Sequence, residues 1–376
     1  MKRFAILLCL VGVMASYKEV AGQPMRILVG TYTEGTGAEG VYLYGFDAET
    51  ADTQPLCVAA CGNPSFVIPS EDGTMAYAVN EFNDGRQGVS CFSLGEDDIS
   101  LLGSMTIPKD QVDGEDPCNL LCTGDALLSS NYTGGSLTAF ALSEDGRIAG
   151  MTQFVSYSER SRMALTGISF GEVRAHMHCA IISPDGKYIF ATNLGNDCIH
   201  RFDLVAGQHP MGKEKVVWRG NGLVRYGPRH MVFSADGRFA YLLCELGDQL
   251  IVFSYSDGEL TPIQTLKAYD GKGRGSADIH LSPDGRFLYT SHRLKKDGIA
   301  IFEVNPSSGK VSRKAYQPTG IHPRNFAISP DGRFLLCACR DSNCIEIYAI
   351  DPASGSLSPT GKTIEVPAPV CVQFVN

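Results

Sequence analysis

The chain has a single tryptophan, Trp218, no Cys-x-x-Cys, no basic run and no apolar stretch long enough to cross a bilayer. Each shortage removes a class of protein. Without Cys-x-x-Cys there is no zinc-ribbon or dithiol motif to argue from. With a net charge of −9 and no clustered Lys or Arg, neither nucleic acid nor an anionic membrane surface is an expected partner. The apolar run from Phe4 to Met14 falls well short of the roughly 20 residues of a membrane-spanning helix. A sustained helical period is missing too, so helix bundles and stacked-helix repeats are excluded.

What is present begins with a leader. Residues 1–22 carry Lys2-Arg3, the apolar run and then small residues, the pattern of a secretory signal. The expected organisation is a signal peptide over 1–22 and one domain over 25–376, with export to the periplasm, or a cytoplasmic protein should the leader not function. Thirteen cysteines resemble a disulfide framework only until they are placed. Cys91, Cys179, Cys244, Cys337, Cys339 and Cys371 lie inside apolar strand runs and read as small core hydrophobes. Cys57 with Cys61, and Cys118 with Cys122, are the pairs whose spacing admits a bridge.

The body of the chain is repetitive. Ser-Pro-Asp-Gly at 282–285 recurs as Ser70-Glu71-Asp72-Gly73, Ser183-Pro184-Asp185-Gly186, Ser234-Ala235-Asp236-Gly237 and Ser329-Pro330-Asp331-Gly332, with glycines 113, 51, 48 and 47 residues apart. Pro presets φ, Asp bonds back to the backbone and Gly tolerates positive φ, so each copy is a turn between two strands. The first gap holds two periods, and Cys122-Thr123-Gly124-Asp125 fits a degenerate sixth turn. A second repeat, an alternating segment ending in an aromatic, occurs seven times, from Val41-Tyr42-Leu43-Tyr44 to Ile345-Glu346-Ile347-Tyr348. A period of 40 to 50 residues with four short strands predicts an all-β, seven-bladed β-propeller with four antiparallel strands per blade. Seven against six implies that one blade is shared by the chain ends. Pro369 to Phe374 is expected to pair beside Arg26 to Tyr32, which leaves no open sheet edge.

Topology then predicts where chemistry gathers. The Ser-Pro-Asp-Gly turns mark one face, so residues just before each first strand and just after each second strand collect on the other. That face receives Asn80, Glu81, Asn131, His176, His178, Arg229, His230, Glu245, Asp278, His280, Arg293 and Arg324, a concentration of ionisable groups in one concave mouth. The longest interval precedes His176, and a loop from about Tyr157 to Glu172 is expected to cover the mouth. Two motif matches fail on context. Gly35-Thr36-Gly37-Ala38-Glu39-Gly40 satisfies a dinucleotide fingerprint but leads into strand-like Val41-Tyr42-Leu43-Tyr44 instead of a helix. Gly361-Lys362-Thr363 has Ser356 where a phosphate loop needs glycine.

Through Gly30-Thr31-Tyr32-Thr33, Asn63-Pro64-Ser65-Phe66, Asn131-Tyr132-Thr133-Gly134-Gly135-Ser136, Gly227-Pro228-Arg229-His230, Ala277-Asp278-Ile279-His280 and Pro369-Val370-Cys371, the sequence resembles the seven-bladed lactonase family. Its members include propeller-type 6-phosphogluconolactonases, and a carboxymuconate lactonising enzyme is related. The resemblance implies a catalytic set of His178, Arg229, Glu245 and Arg293, with Asn80, Glu81, Asn131, His176, His230, Asp278, His280 and Arg324 around the substrate. Ala175 stands where a proline usually precedes His-x-His, and His292 where Asn is more frequent, which leaves His176 and His178 as alternatives.

Hydrolysis of a sugar lactone, 6-phosphogluconolactone first, is the implied activity. It needs a base for water, with Glu245 and His178 as the candidates, and cations for the developing oxyanion and an anionic group, which suit Arg229 and Arg293. No metal and no cofactor is required. The expected partner is a small lactone bearing an anionic group, and the chain is expected to act as a monomer. Two other readings stay open: a carboxymuconate-type cycloisomerase using the same groups, and a non-catalytic exported propeller that binds a sugar or protein. The absence of recurring Trp-Asp speaks against the last.

Overall fold

The computed structural model describes residues 25–158, 174–271 and 273–375. The leader, and the expected covering loop beyond Ser158, lie outside these residues. The chain folds as seven four-stranded antiparallel sheets. Six blades run in sequence order, from the inner strand outward. In the seventh, Pro369–Val375 is the inner strand and pairs with Met25–Thr31, followed by Gly40–Phe46 and Thr53–Ala60. Its register runs from Arg26 opposite Val375 to Thr31 opposite Pro369. This blade has no turn between its two inner strands because the chain ends there, which explains six turns against seven aromatic segments.

Burial follows from blades stacking face to face. Second strands such as Phe239–Cys244 and Phe334–Cys339 are buried at every residue, so they read as continuous apolar runs. Outermost strands such as Val311–Pro318 are exposed or half-buried beyond their first residue. Most cysteines belong to this core, with Cys57, Cys61 and Cys122 half-buried at its edge; all twelve described ones are free, Cys57, Cys61, Cys118 and Cys122 included. Burial pushes the Cys179 and Cys371 thiols up to about 12, so they pack as small neutral groups.

On the turn face one device is repeated. In each of the five clear copies the Gly N–H donates to the Ser carbonyl at 2.8 to 3.0 Å, and Gly285 sits at φ +69°, where a β-carbon is strained. Blades are then stitched to their successors. The hydroxyls of Tyr241 and Tyr289 donate to Gly309 and Gly355 carbonyls at 3.0 and 2.9 Å. Arg238 and Arg286 donate to Pro306 and Pro352 carbonyls, each at 2.6 Å.

The opposite face also repeats, but in backbone alone. The residue following each second strand donates its N–H to a carbonyl on the approach to the inner strand: Tyr32 to Ala368, Glu81 to Asn63, Tyr132 to Asp116, Leu194 to His176, Glu245 to Gly227, Arg293 to Gly275 and Arg340 to His322, at 2.8 to 3.2 Å.

Each inner strand turns an edge toward the central channel, and its unpaired N–H groups need partners. Side chains from the preceding blade supply them. Asn119 accepts from Ala180 N, Asp278 from Phe326 N, Asn325 from Val372 N and Cys371 from Val67 N. All four acceptors occupy the same position on their strands, one residue before the bonded register of the next blade. They form a belt around the channel just inside its mouth.

Candidate active site

Directly outside the belt lies a cluster of guanidinium and carboxylate groups. Arg229, the second residue of Pro228–Phe233, is 3% exposed. Gly227 precedes it at φ +69°, where an added β-carbon would lie 2.6 Å from the Leu246 side chain. That turn carries both Arg229 and its partner, since Glu245 N donates to Gly227 O at 2.8 Å. Arg229 Nη1 donates to Glu245 Oε2 at 2.6 Å and lies 2.5 Å from His178 Nε2, while its Nε donates to Ala277 O at 2.8 Å.

Arg293 completes the group. Its Nη2 is 3.1 Å from Glu245 Oε1, and its Nη1 is 3.2 Å from His322 Nε2. Burial, aided by the neighbouring Arg229, brings the Arg293 guanidinium down to about 9. Burial also opposes charge on Glu245, but Arg229 and Arg293 outweigh it and hold the carboxyl below its ordinary value. His178 is driven well below the usual imidazole range, by burial first and then by Arg229.

Across the channel Arg324 stands apart. It donates no hydrogen bond among the described residues; its nearest carboxylate oxygen, Glu81 Oε2, is 3.8 Å away, and its guanidinium lies over the Tyr32 ring at 5.5 Å. Glu81 is itself committed, accepting from Tyr32 Oη at 2.8 Å and from Ser65 Oγ. Three guanidiniums, from Arg229, Arg293 and Arg324, thus face two carboxylates, Glu81 and Glu245. Beside Tyr32 a cleft of about 560 Å³, lined by Tyr32, Glu34, Thr36, Arg340 and Asp341, opens on the same face.

Deeper, Asp278 gathers five donors. Oδ1 accepts from His230 Nδ1 at 2.7 Å and Ile279 N at 3.0 Å. Oδ2 accepts from His280 Nε2 at 2.9 Å, Asn325 Nδ2 at 2.5 Å and Phe326 N at 3.3 Å. Burial resists this charge, yet His280 and His230 override it and Asp278 stays far below the carboxylate range. The same contact raises His280 against the cost of desolvation.

The structure brings His178, Arg229, Glu245 and Arg293 into one bonded cluster, with Arg324 and Glu81 facing it and His230, Asp278 and His280 beneath. His176 lies at the rim, stacked on Tyr132 at 4.3 Å with Nδ1 on Tyr132 O at 2.8 Å. His178 and not His176 therefore meets Arg229. Asn80 and Asn131 are placed otherwise. Asn80 donates to Gly62 O at 2.9 Å and accepts from Ser90 Oγ at 2.8 Å. Asn131 donates to Ser136 Oγ and Thr138 Oγ1, both at 2.9 Å, and accepts from Ser129 Oγ at 2.9 Å. Each amide is held within its own blade, so neither joins the cluster.

Two members escape the sequence reading. Tyr32 occupies the position that holds Glu81, Glu245 and Arg293 in other blades, and aligning the repeats at that position reveals it. Asn325 carries no such signal, because only the neighbouring blade shows what its amide meets. No group of three or more potential metal ligands occurs among the described residues.

Comparison with known proteins follows the same outline. The family described as Lactonase, 7-bladed beta-propeller, matches residues 26–374. The 6-phosphogluconolactonase of Bacillus subtilis (strain 168) is 30% identical over 359 residues, which cover 93% of this chain and 97% of that protein. The 6-phosphogluconolactonase of Formosa agariphila is 34% identical over 348 residues, covering 88% and 94%. Among solved structures, the periplasmic gluconolactonase PpgL of Pseudomonas aeruginosa superposes with a TM-score of 0.81 at 31% identity, over 94% of this chain and 99% of that one.

Proposed function

Because the chain belongs to the seven-bladed β-propeller lactonase family, we propose that the Arg229–Glu245–Arg293–His178 cluster is its active centre and that 6-phospho-D-glucono-1,5-lactone is its preferred substrate. The protein is a lactone-hydrolysing enzyme. Water adds to the lactone carbonyl, the ring C–O bond breaks, and the open hydroxy acid leaves. Arg229 and Arg293 suit the oxyanion, because each is already oriented by Glu245 and carries N–H groups in a nearly dry site where a fixed donor is worth most. Glu245 serves as their counter-ion and anchor.

The observation that carries the anionic substrate is Arg324. A mostly buried guanidinium, its side chain 16% exposed, without a hydrogen bond among the described residues is costly, and with only two carboxylates for three guanidiniums the pocket favours a ligand that brings negative charge. Phosphate at the far end of a sugar lactone meets that demand. The leader and the likeness to a periplasmic gluconolactonase support export. Among the described residues no helix is long and apolar enough to cross a membrane.

The test is hydrolysis of the phosphorylated and plain gluconolactones by purified protein, measured against the spontaneous rate. The expected preference for the phosphorylated lactone is at least about tenfold in kcat/KM, or roughly 1.4 kcal/mol, a modest demand on one charge-assisted contact. Equal rates, or a preference for the neutral lactone, would refute the anion clamp and favour an exported hydrolase of unphosphorylated sugar lactones.

A further inference from the structure

Two buried ring nitrogens in the site are left without partners. His178 Nδ1 and His230 Nε2 are closed to solvent and make no hydrogen bond among the described residues, although their rings meet edge to face at 5.1 Å. Their other contacts decide what each can do. A guanidinium only donates, so Arg229 makes His178 Nε2 an acceptor and leaves the proton on Nδ1. Asp278 acts in the opposite sense on His230: Nδ1 donates to Oδ1 at 2.7 Å, and Nε2 keeps its lone pair. An unpaired donor and an unpaired acceptor therefore stand side by side, at a cost of about 1–3 kcal/mol for each if left so.

The belt around the channel adds an independent observation. His230 holds the belt position of its strand, yet it does not serve the next blade's N–H as Asn119, Asp278, Asn325 and Cys371 do. Ile279 N is instead satisfied by Asp278 Oδ1 at 3.0 Å. The substitution of Asp278 for His230 in that duty leaves the imidazole Nε2 unpaired, with its ring 5.1 Å from that of His178. Asp278 in turn is held as a carboxylate by five donors and neutralised by His280, so it keeps the His230 tautomer whether or not a ligand is bound.

Resting on the lactonase reading, we infer that His230, oriented by Asp278, is the proton acceptor for the attacking water, and that His178 Nδ1–H holds that water's oxygen beside it. The two bases named from the sequence are less suited. Both oxygens of Glu245 face guanidiniums, and the His178 Nε2 lone pair points into Arg229. In the step, the water oxygen bonds to the carbonyl carbon as its proton passes to His230 Nε2. The ring C–O bond then breaks and the same proton passes to the departing ring oxygen, so lactone and water yield the hydroxy acid with nothing left over. The charged and titratable groups around His230 are Asp278 and His280 on one neighbouring strand, His178 on the other and Arg229 on its own. Burial, reinforced by Arg229 and opposed by Asp278, keeps the ring neutral to below the ordinary imidazole value.

The experiment is the pH profile of kcat/KM for the wild type, His230→Gln and Asp278→Asn, with affinity for the hydroxy-acid product measured by calorimetry. His230→Gln is expected to lower kcat/KM at least about a hundredfold, to abolish the acid limb and to leave product affinity within about threefold, while Asp278→Asn retains a limb that has moved. Near-wild-type rates in His230→Gln, or an unchanged acid limb, overturn the assignment. Should the variant not fold, nitrogen-15 NMR of the wild type decides: His230 must titrate at the midpoint of the acid limb, and a gap beyond about one pH unit rejects it. Wild-type protein without lactone turnover overturns the lactonase reading and this inference together; wild-type turnover with an indifferent His230 overturns this inference alone.

Discussion

The two faces of the propeller use repetition differently. On the turn face both backbone and side chain recur: Ser, Asp and Gly make the same turn, and Tyr241 and Tyr289, like Arg238 and Arg286, reach the next blade in the same way. On the opposite face only the backbone bond recurs, seven times, while the residue it holds changes from Tyr32 through Glu81, Tyr132, Leu194, Glu245 and Arg293 to Arg340. A residue repeated in place is answering a structural need common to all blades. A residue that differs at a repeated position answers to what lies on the axis, and the axis is where the buried charges are.

This contrast is broken most sharply by substitutions on the axial face. Arg229→Ala and Glu245→Gln are each expected to lower kcat/KM for lactone hydrolysis at least about a hundredfold, the scale of losing an oriented charge. Wild-type rates in both variants would mean that the differing residues are not the chemical ones. Arg324→Gln makes a smaller, more selective demand: the roughly tenfold preference for phosphorylated over plain gluconolactone should fall to about one, with turnover of the plain lactone changed little. On the turn face the expected effect is on stability. Gly285→Ala places a β-carbon at φ +69° at a cost of about 1–2 kcal/mol, a melting temperature lower by a few degrees with kcat/KM unaltered. Lost activity without lost stability there would erase the distinction between the faces.

The turn face was legible in the sequence because its signal is local. Pro, Asp and Gly act within four residues, and even spacing turns five such signals into a blade count. The pairing of Pro369–Val375 with Met25–Thr31 followed from the mismatch between turns and aromatic segments. The axial face was legible only in part. Position relative to the strands placed Arg229, Glu245 and Arg293 together, but position does not report partners. Asn80 and Asn131 sit on the same stretch of chain as Glu81 and Tyr132, yet alternation on the strand turns their amides into the blade. Nor does any local pattern disclose that Asp278 collects donors from three blades, since His230 and Asn325 lie almost 50 residues to either side of it.

The shared blade has a consequence for the order in which the protein assembles. Every other sheet forms from strands adjacent in the chain, whereas Ile27 must find Phe374. Closing so long a loop costs about 5 kcal/mol of chain entropy on the (3/2)RT ln n scale, and contacts of such sequence separation form late and slowly. Blades can therefore stand before the ring exists. Because the axial side chains converge only when the ring is shut, a nascent chain carries its chemistry dispersed, and gains it in the single event that joins its first and last strands.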